Sequence, residues 1–171
     1  MVKLDDQVQL LIDRAAISDV VYAYATGLDR HEWILFRSIF TDTIQMDFQS
    51  IGLPAIRIDA DEWVRDTKRL FAGFAATQHT STNHTHDVRG DEATCTSNMQ
   101  ATHFVDRQPN DGLENGADCW TIGGYYIDEL VRSAQGWKLA KVTLNISWQT
   151  GNRALSRIAL QRGRALESGL E

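Results

Sequence analysis

Three observations predict an α+β fold for this chain of 171 residues. Residues 5–28 carry apolar side chains at helical spacing, and two shorter helical stretches follow before residue 77. From His79 onward the chain turns to β character, in four long segments joined by short turns. Consecutive strands so joined pair antiparallel, and helices gathered ahead of them must cover one face of the sheet. The expected architecture is a cone, a strongly curved and mostly antiparallel sheet wrapped around the N-terminal helices with an apolar pocket inside.

The first helix rests on Val8, Leu11, Ile12, Ala15, Tyr24, Ala25 and Leu28, with Asp, Gln and Arg between them. Gly27 reads as its stop. Glu32 to Phe40 reads as a short second helix held by Trp33, Phe36 and Phe40, closed by a turn at Phe40-Thr41-Asp42. Thr43 to Gln49 alternates (Ile44, Met46, Phe48 on one face) and reads as a strand, with a loop marked by Gly52 and Pro54. Asp59 or Asp61 is the expected N-cap of a third helix that ends near Ala76, because a carboxylate there accepts from free backbone amides. The strands then read as His79 to Arg89, Thr94 to Asp106, Asp118 to Ser133 and Trp137 to Thr150. A polar loop is expected from Gln108 to Ala117 and a terminal helix from Asn152 to Ser168. One domain spanning residues 1–171 is expected, since this length suits a single core.

Composition narrows the function. Hydrophobic residues are 43% and charged residues 23%, ordinary values for a globular protein. The formal net charge of −6 argues against a nucleic-acid partner, which wants a basic face. No apolar run reaches the ~18 residues of a membrane span, so no membrane partner is expected. The start Met-Val-Lys-Leu-Asp-Asp-Gln lacks the apolar run of a signal peptide, which points to a cytoplasmic protein. Cys95 and Cys119 have no metal spacing and are expected as reduced packing thiols.

Four segments carry a resemblance. They are Arg14-Ala15-Ala16-Ile17 with Asp19, Gly27-Leu28-Asp29-Arg30, Thr77 to Asn83, and Ile122-Gly123-Gly124-Tyr125-Tyr126 followed by Gly136-Trp137-Lys138. Together they resemble the SnoaL-like branch of the nuclear-transport-factor-2-like (NTF2-like) superfamily, which includes dehydratases and a dehydrochlorinase. The resemblance implies a catalytic dyad, with Asp29 as its aspartate and His79 as its histidine, and Tyr24 as a pocket tyrosine. It implies no cofactor and a homotrimer or dimer. The dehydrochlorinase has an arginine where this chain has Val142, which disfavours halide elimination. An apolar strand face of Ala140, Val142, Leu144, Ile146 and Trp148 suits a small apolar substrate instead.

The chemistry fits those residue types. Histidine titrates nearest neutrality, and a carboxylate on one ring nitrogen fixes the tautomer and stabilises the imidazolium. The pair serves dehydration, double-bond isomerisation or polyketide-type cyclisation. Trp33, Met46, Phe48, Asn83, Val142, Leu144 and Trp148 are the expected substrate-binding residues. A non-catalytic binding or structural subunit is the rival of another class. No metal is expected: His84 and His86, with His103, offer three ligands, but the odd spacing from His79 puts them on the opposite face of a regular strand.

Overall fold

The computed structural model describes residues 4–107, 113 and 117–169. The elements are α1 (Leu4–Asp29), α2 (Trp33–Ser38), β1 (Phe40–Asp47), a 3-10 turn (Gln49–Ile51), β2 (Ile56–Asp59), α3 (Ala60–Ala72), β3 (Ala76–Arg89), β4 (Glu92–Phe104), β5 (Cys119–Ser133), β6 (Gly136–Gly151) and α4 (Leu155–Ser168). The sheet runs β2-β1-β6-β5-β4-β3, so the four long strands form the expected meander. Every pairing is antiparallel except β1 with β6. Helix α1 packs on both β3 and β6, which have two strands between them, so the sheet curls around it without closing. Among the described residues no helix is long and apolar enough to cross a membrane.

One stripe of α1 faces inward, Asp13, Ile17, Val21, Tyr24, Gly27 and Leu28, at spacings of three and four. Asp13 ties the helix to the β5–β6 hairpin. Its carboxylate accepts from Arg132 Nη1 at 2.8 Å, Arg132 Nη2 at 2.9 Å and Trp137 Nε1 at 3.2 Å. A fork-shaped guanidinium on a carboxylate is among the stronger polar contacts a protein makes.

Several local expectations are corrected. Gly27 does not stop α1, which runs on to Asp29. The glycine is there for contact: a Cβ would meet the Phe36 Cβ at 2.8 Å, so its absence lets α2 lie close. His31, at φ 55, makes the turn instead. Phe40 to Asp42 belongs to β1 and is not a turn, and the expected loop around Pro54 contains the edge strand β2. Helix α3 starts at the Asp59 N-cap, whose carboxylate accepts from the amides of Asp61 at 2.9 Å and Glu62 at 3.2 Å. It ends at Ala72 with Gly73 as C-cap, short of Ala76. The expected loop at 108–117 lies mostly outside the described residues.

Strand parity is the largest correction. The β3–β4 register shifts between Thr82 and Thr85, and Asn83 sits there at φ 55. One extra residue in a strand flips the side-chain alternation. Ser81 and His84 therefore point the same way, and the Ser81 hydroxyl lies 2.8 Å from His84 Nε2. His84 and His86 share the inner face with His79, against the expectation from odd spacing. A second shift falls where Gly123 pairs with Trp148 and Gly124 with Ile146. Beyond it Trp148 is 48% exposed and lies over Gly123, away from the interior.

Candidate active site

The site begins where α1 ends. Asp29 is the last residue of α1, and β3 passes beside it. Alternation along β3 puts Thr77 and His79 on the face that meets it. Three donors reach the one carboxylate. Thr77 Oγ1 donates to Oδ1 at 2.8 Å, His79 N–H donates to Oδ2 at 2.7 Å, and His79 Nδ1 lies 2.7 Å from Oδ1. Burial pulls the Asp29 carboxyl upward, but hydrogen bonds from the His79 ring and backbone and from Thr77, with the charge of His79, hold it below its ordinary value. An ionised Asp29 accepts the Nδ1 proton, which leaves Nε2 as the free acceptor. The imidazole is almost fully buried, stacked on Phe71 at 5.9 Å and edge-on to His103 at 5.4 Å.

His79 stands between two spaces. On one side is a narrow, partly open pocket, lined by Tyr24 and Val21 from α1 and by Met99, Tyr126, Asp128 and Val142 from the sheet. On the other is an open groove of about 500 Å³ along Asp29, Arg30, Gln78 and Phe104. A ligand entering from the groove would pass the imidazole. Concave, mostly apolar spaces with a few convergent polar groups are the usual form of a small-molecule site.

Asp128 is the functional candidate that reading the chain missed. It is 4% exposed, and burial pushes its carboxyl up to about 8. At neutral pH it is a neutral acid facing the cavity, able to donate a hydrogen bond. Tyr24 and Tyr126 stand beside it with ring centroids 5.8 Å apart, and burial raises both hydroxyls, so both stay protonated. The signal lay in the alternation Tyr126, Asp128, Leu130: an acid on the buried face of an apolar strand.

His103 lies at the other end of the β3–β4 ladder from His84 and His86, opposite Thr77. His84, His86 and His103, the three imidazoles that the sequence offers, are not brought together. His103 instead stacks on Trp120 at 5.2 Å and lies tilted against Phe74 at 5.0 Å. Burial, and then the nearby charge of His79, push it down to about 4 despite a hydrogen bond with the Trp120 backbone. It is a neutral wall beside the dyad.

Of the other expected residues, Tyr24 and Val142 line the cavity. Met46 and Leu144 are buried in the core, and Phe48 packs edge-on against Trp63 at 5.7 Å. Trp33 lies at the surface end of the aromatic cluster, between His31 and Phe36. Asn83 is exposed at the bulge and Trp148 lies on the outer face, so neither lines the cavity.

Comparison with known proteins adds the family. The sequence profile described as SnoaL-like domain matches residues 9–143. None of the curated proteins compared with it matches the chain. Among solved structures, the Kfla4162 protein of Kribbella flavida is 33% identical, covering 86% of this chain and 99% of its own, with a TM-score of 0.79. A protein of Novosphingobium aromaticivorans named as a candidate scytalone dehydratase is 18% identical, with 86% and 92% coverage and a TM-score of 0.72. The hexachlorocyclohexane dehydrochlorinase LinA-type3 of Novosphingobium barchaimii is 19% identical, with 84% and 92% coverage and a TM-score of 0.67. The last two likenesses concern the fold.

Proposed function

The chain belongs to the SnoaL-like domain family, and from that premise we propose that it is a cofactor-independent lyase of the dehydratase type. Its substrate is a small, apolar, ring-containing hydroxy compound with a carbonyl that acidifies a neighbouring C–H. His79 Nε2 takes that proton. The C–H electrons form the new double bond, the hydroxyl on the next carbon leaves, and the histidinium returns the proton to it as water. Asp29 holds the imidazole in the required tautomer and stabilises its charge. Asp128 and Tyr24 donate to the carbonyl oxygen as negative charge builds there.

The observation that carries this reading is the pairing of His79 Nδ1 with Asp29 at 2.7 Å while the same, nearly buried ring lines a narrow apolar pocket. A surface salt bridge would need neither the burial nor the cavity. The neutral Asp128 also suits a double-bond isomerase, whose enolate needs the same donors. A panel of hydroxy-ketones and ring alcohols, followed by mass spectrometry, separates the two. Loss of 18 mass units of water is expected; an isobaric product would select the isomerase, and no turnover of any compound would favour a binding protein. A homotrimer or dimer is expected as well, supported by the exposed Phe104, Tyr125 and Trp148 on the outer face. A clean monomer in sedimentation would remove that expectation.

A further inference from the structure

We propose that His84, His86 and Cys95 form a zinc site, separate from the dyad, that joins α1 to the inner face of the β3–β4 hairpin. The Asn83 bulge is what creates it. By turning His84 onto the inner face it brings two imidazoles to a strand whose partner residue, directly opposite His86, is Cys95. One ligand atom from each of the three lies within 4.8 Å of the others.

The polar network around the histidines is incomplete without a further ligand. Ser18 Oγ on α1 lies 3.0 Å from His84 Nδ1 and 2.9 Å from His86 Nε2, so the two rings converge on one oxygen. Ser81 Oγ takes the remaining nitrogen of His84. His86 Nδ1 is buried with no hydrogen-bond partner. His86 stands directly opposite the buried Cys95, and imidazoles with a thiol are a donor set for a borderline-soft cation. Two imidazoles and one thiolate suit zinc and leave a fourth position to the Ser18 hydroxyl or to water. Zinc bonds of about 2.0–2.3 Å would draw the donors to about 3.5 Å apart, a contraction of roughly 1 Å.

Arg14 on α1 directs positive charge at His86, which disfavours a site made of imidazoles alone. The Cys95 thiolate supplies the compensating charge, so binding turns on that residue. Its thiol proton leaves to solvent as the Zn–S bond forms, and no redox change is involved. The chemistry proposed for His79 passes through none of the ligand atoms; Cys95 does lie opposite Asp128 on β5, so the site is tested by metal binding and not by turnover.

The test uses the full chain stripped of metal with a chelator. It is titrated with Co²⁺ as a spectroscopic probe and with Zn²⁺ in competition with a chromophoric chelator. One equivalent should bind, with a near-ultraviolet thiolate-to-cobalt band. Cys95→Ser should abolish the band and weaken Zn²⁺ binding at least tenfold, while Cys119→Ser should change neither. His86→Gln, at a half-buried position, should weaken binding similarly with an unchanged circular dichroism spectrum, which keeps the test valid should Cys95→Ser unfold. Zn²⁺ should raise the melting temperature of the native chain and not that of His86→Gln. The absence of a band, or affinity unchanged in His86→Gln, overturns the site.

Discussion

Asp29 and Asp128 are the same residue in two settings, and the contrast between them organises the interior. Asp29 sits behind His79 at the edge of a groove, where three donors hold its negative charge. Asp128 lines the cavity itself, among tyrosine rings and apolar side chains, with burial as the dominant influence. The first stays ionised below the ordinary carboxylate range. The second keeps its proton up to about 8. Desolvation acts on both, and the outcome depends on whether donors are present to oppose it. Two like groups pushed apart in this way are suited to different tasks within one site.

The largest effect expected from breaking this contrast is on the His79 side. His79→Ala removes the proposed base, and with the ring go both positioning and proton transfer. It should lower kcat/KM by about 10²–10⁴-fold, the usual worth of general acid–base catalysis. Circular dichroism should be unchanged, because the backbone amide of residue 79 still donates to Asp29. Turnover at the native rate would refute His79 as base.

Asp29→Asn comes next. The amide has the same shape but cannot stabilise an imidazolium, so kcat should fall more than tenfold with little change in KM. The variant should also lose a pH-dependent part of its stability. A carboxylate whose folded pKa is depressed stabilises the fold above its unfolded value of about 3.9, and the benefit is lost as pH falls through the folded pKa. Denaturant unfolding of the native chain should therefore weaken below about pH 4, and Asp29→Asn should weaken less over that range. Parallel curves would mean that the dyad contributes nothing ionic to the fold.

How legible these two aspartates were differs for a physical reason. Asp29 follows a helical stripe and precedes a strand-borne histidine in a family-like order, so both its identity and its partner were visible in the chain. The meander, the Asp59 cap and the inward stripe of α1 were visible for the same reason: they follow from periodicity and local hydrogen bonding. Asp128 was not, because its meaning lies in what surrounds it, and the residues across the cavity come from α1 and β6. Bulges hid the rest. Asn83 and the break beside Gly124 each reverse the alternation of everything beyond them. A period-two count therefore put His84 and His86 on the wrong face and Trp148 in the pocket. Gly27 read as a stop signal because packing against Phe36 is not a local property.

Asp128→Asn sharpens the contrast from the other side. Asparagine keeps a neutral hydrogen-bond donor, so activity near neutral pH should fall less than in the dyad variants, by about tenfold or less. The pH profile should change more. The proposed activity of the native chain should fall as pH rises past about 8, when Asp128 ionises, and that of the variant should not. Stability moves in the same window. An acid whose folded pKa is raised stabilises the fold fully below its unfolded value of about 3.9. That contribution is lost as pH climbs toward about 8, at up to about 1.4 kcal/mol per pH unit. The native chain should lose stability from pH 5 to pH 8 relative to Asp128→Asn. Equal profiles would show that Asp128 is solvated and ionised, and would remove it from the proposed donor pair.

The smallest expected effect falls on a supporting donor. Thr77→Val keeps the β-branched shape that β3 favours and removes one of the three hydrogen bonds to Asp29. The His79 ring and backbone still hold the carboxylate. Stability should drop by about 1 kcal/mol, as for loss of one partly buried hydrogen bond to a charged group. The Asp29 carboxyl should titrate higher, seen by carbon-13 NMR of its side chain, while kcat falls only a few-fold. A loss as large as that of Asp29→Asn would mean that Thr77, and not His79, holds the carboxylate in its ionised state. That result would make Asp29 as dependent on a single neighbour as Asp128 is on its burial.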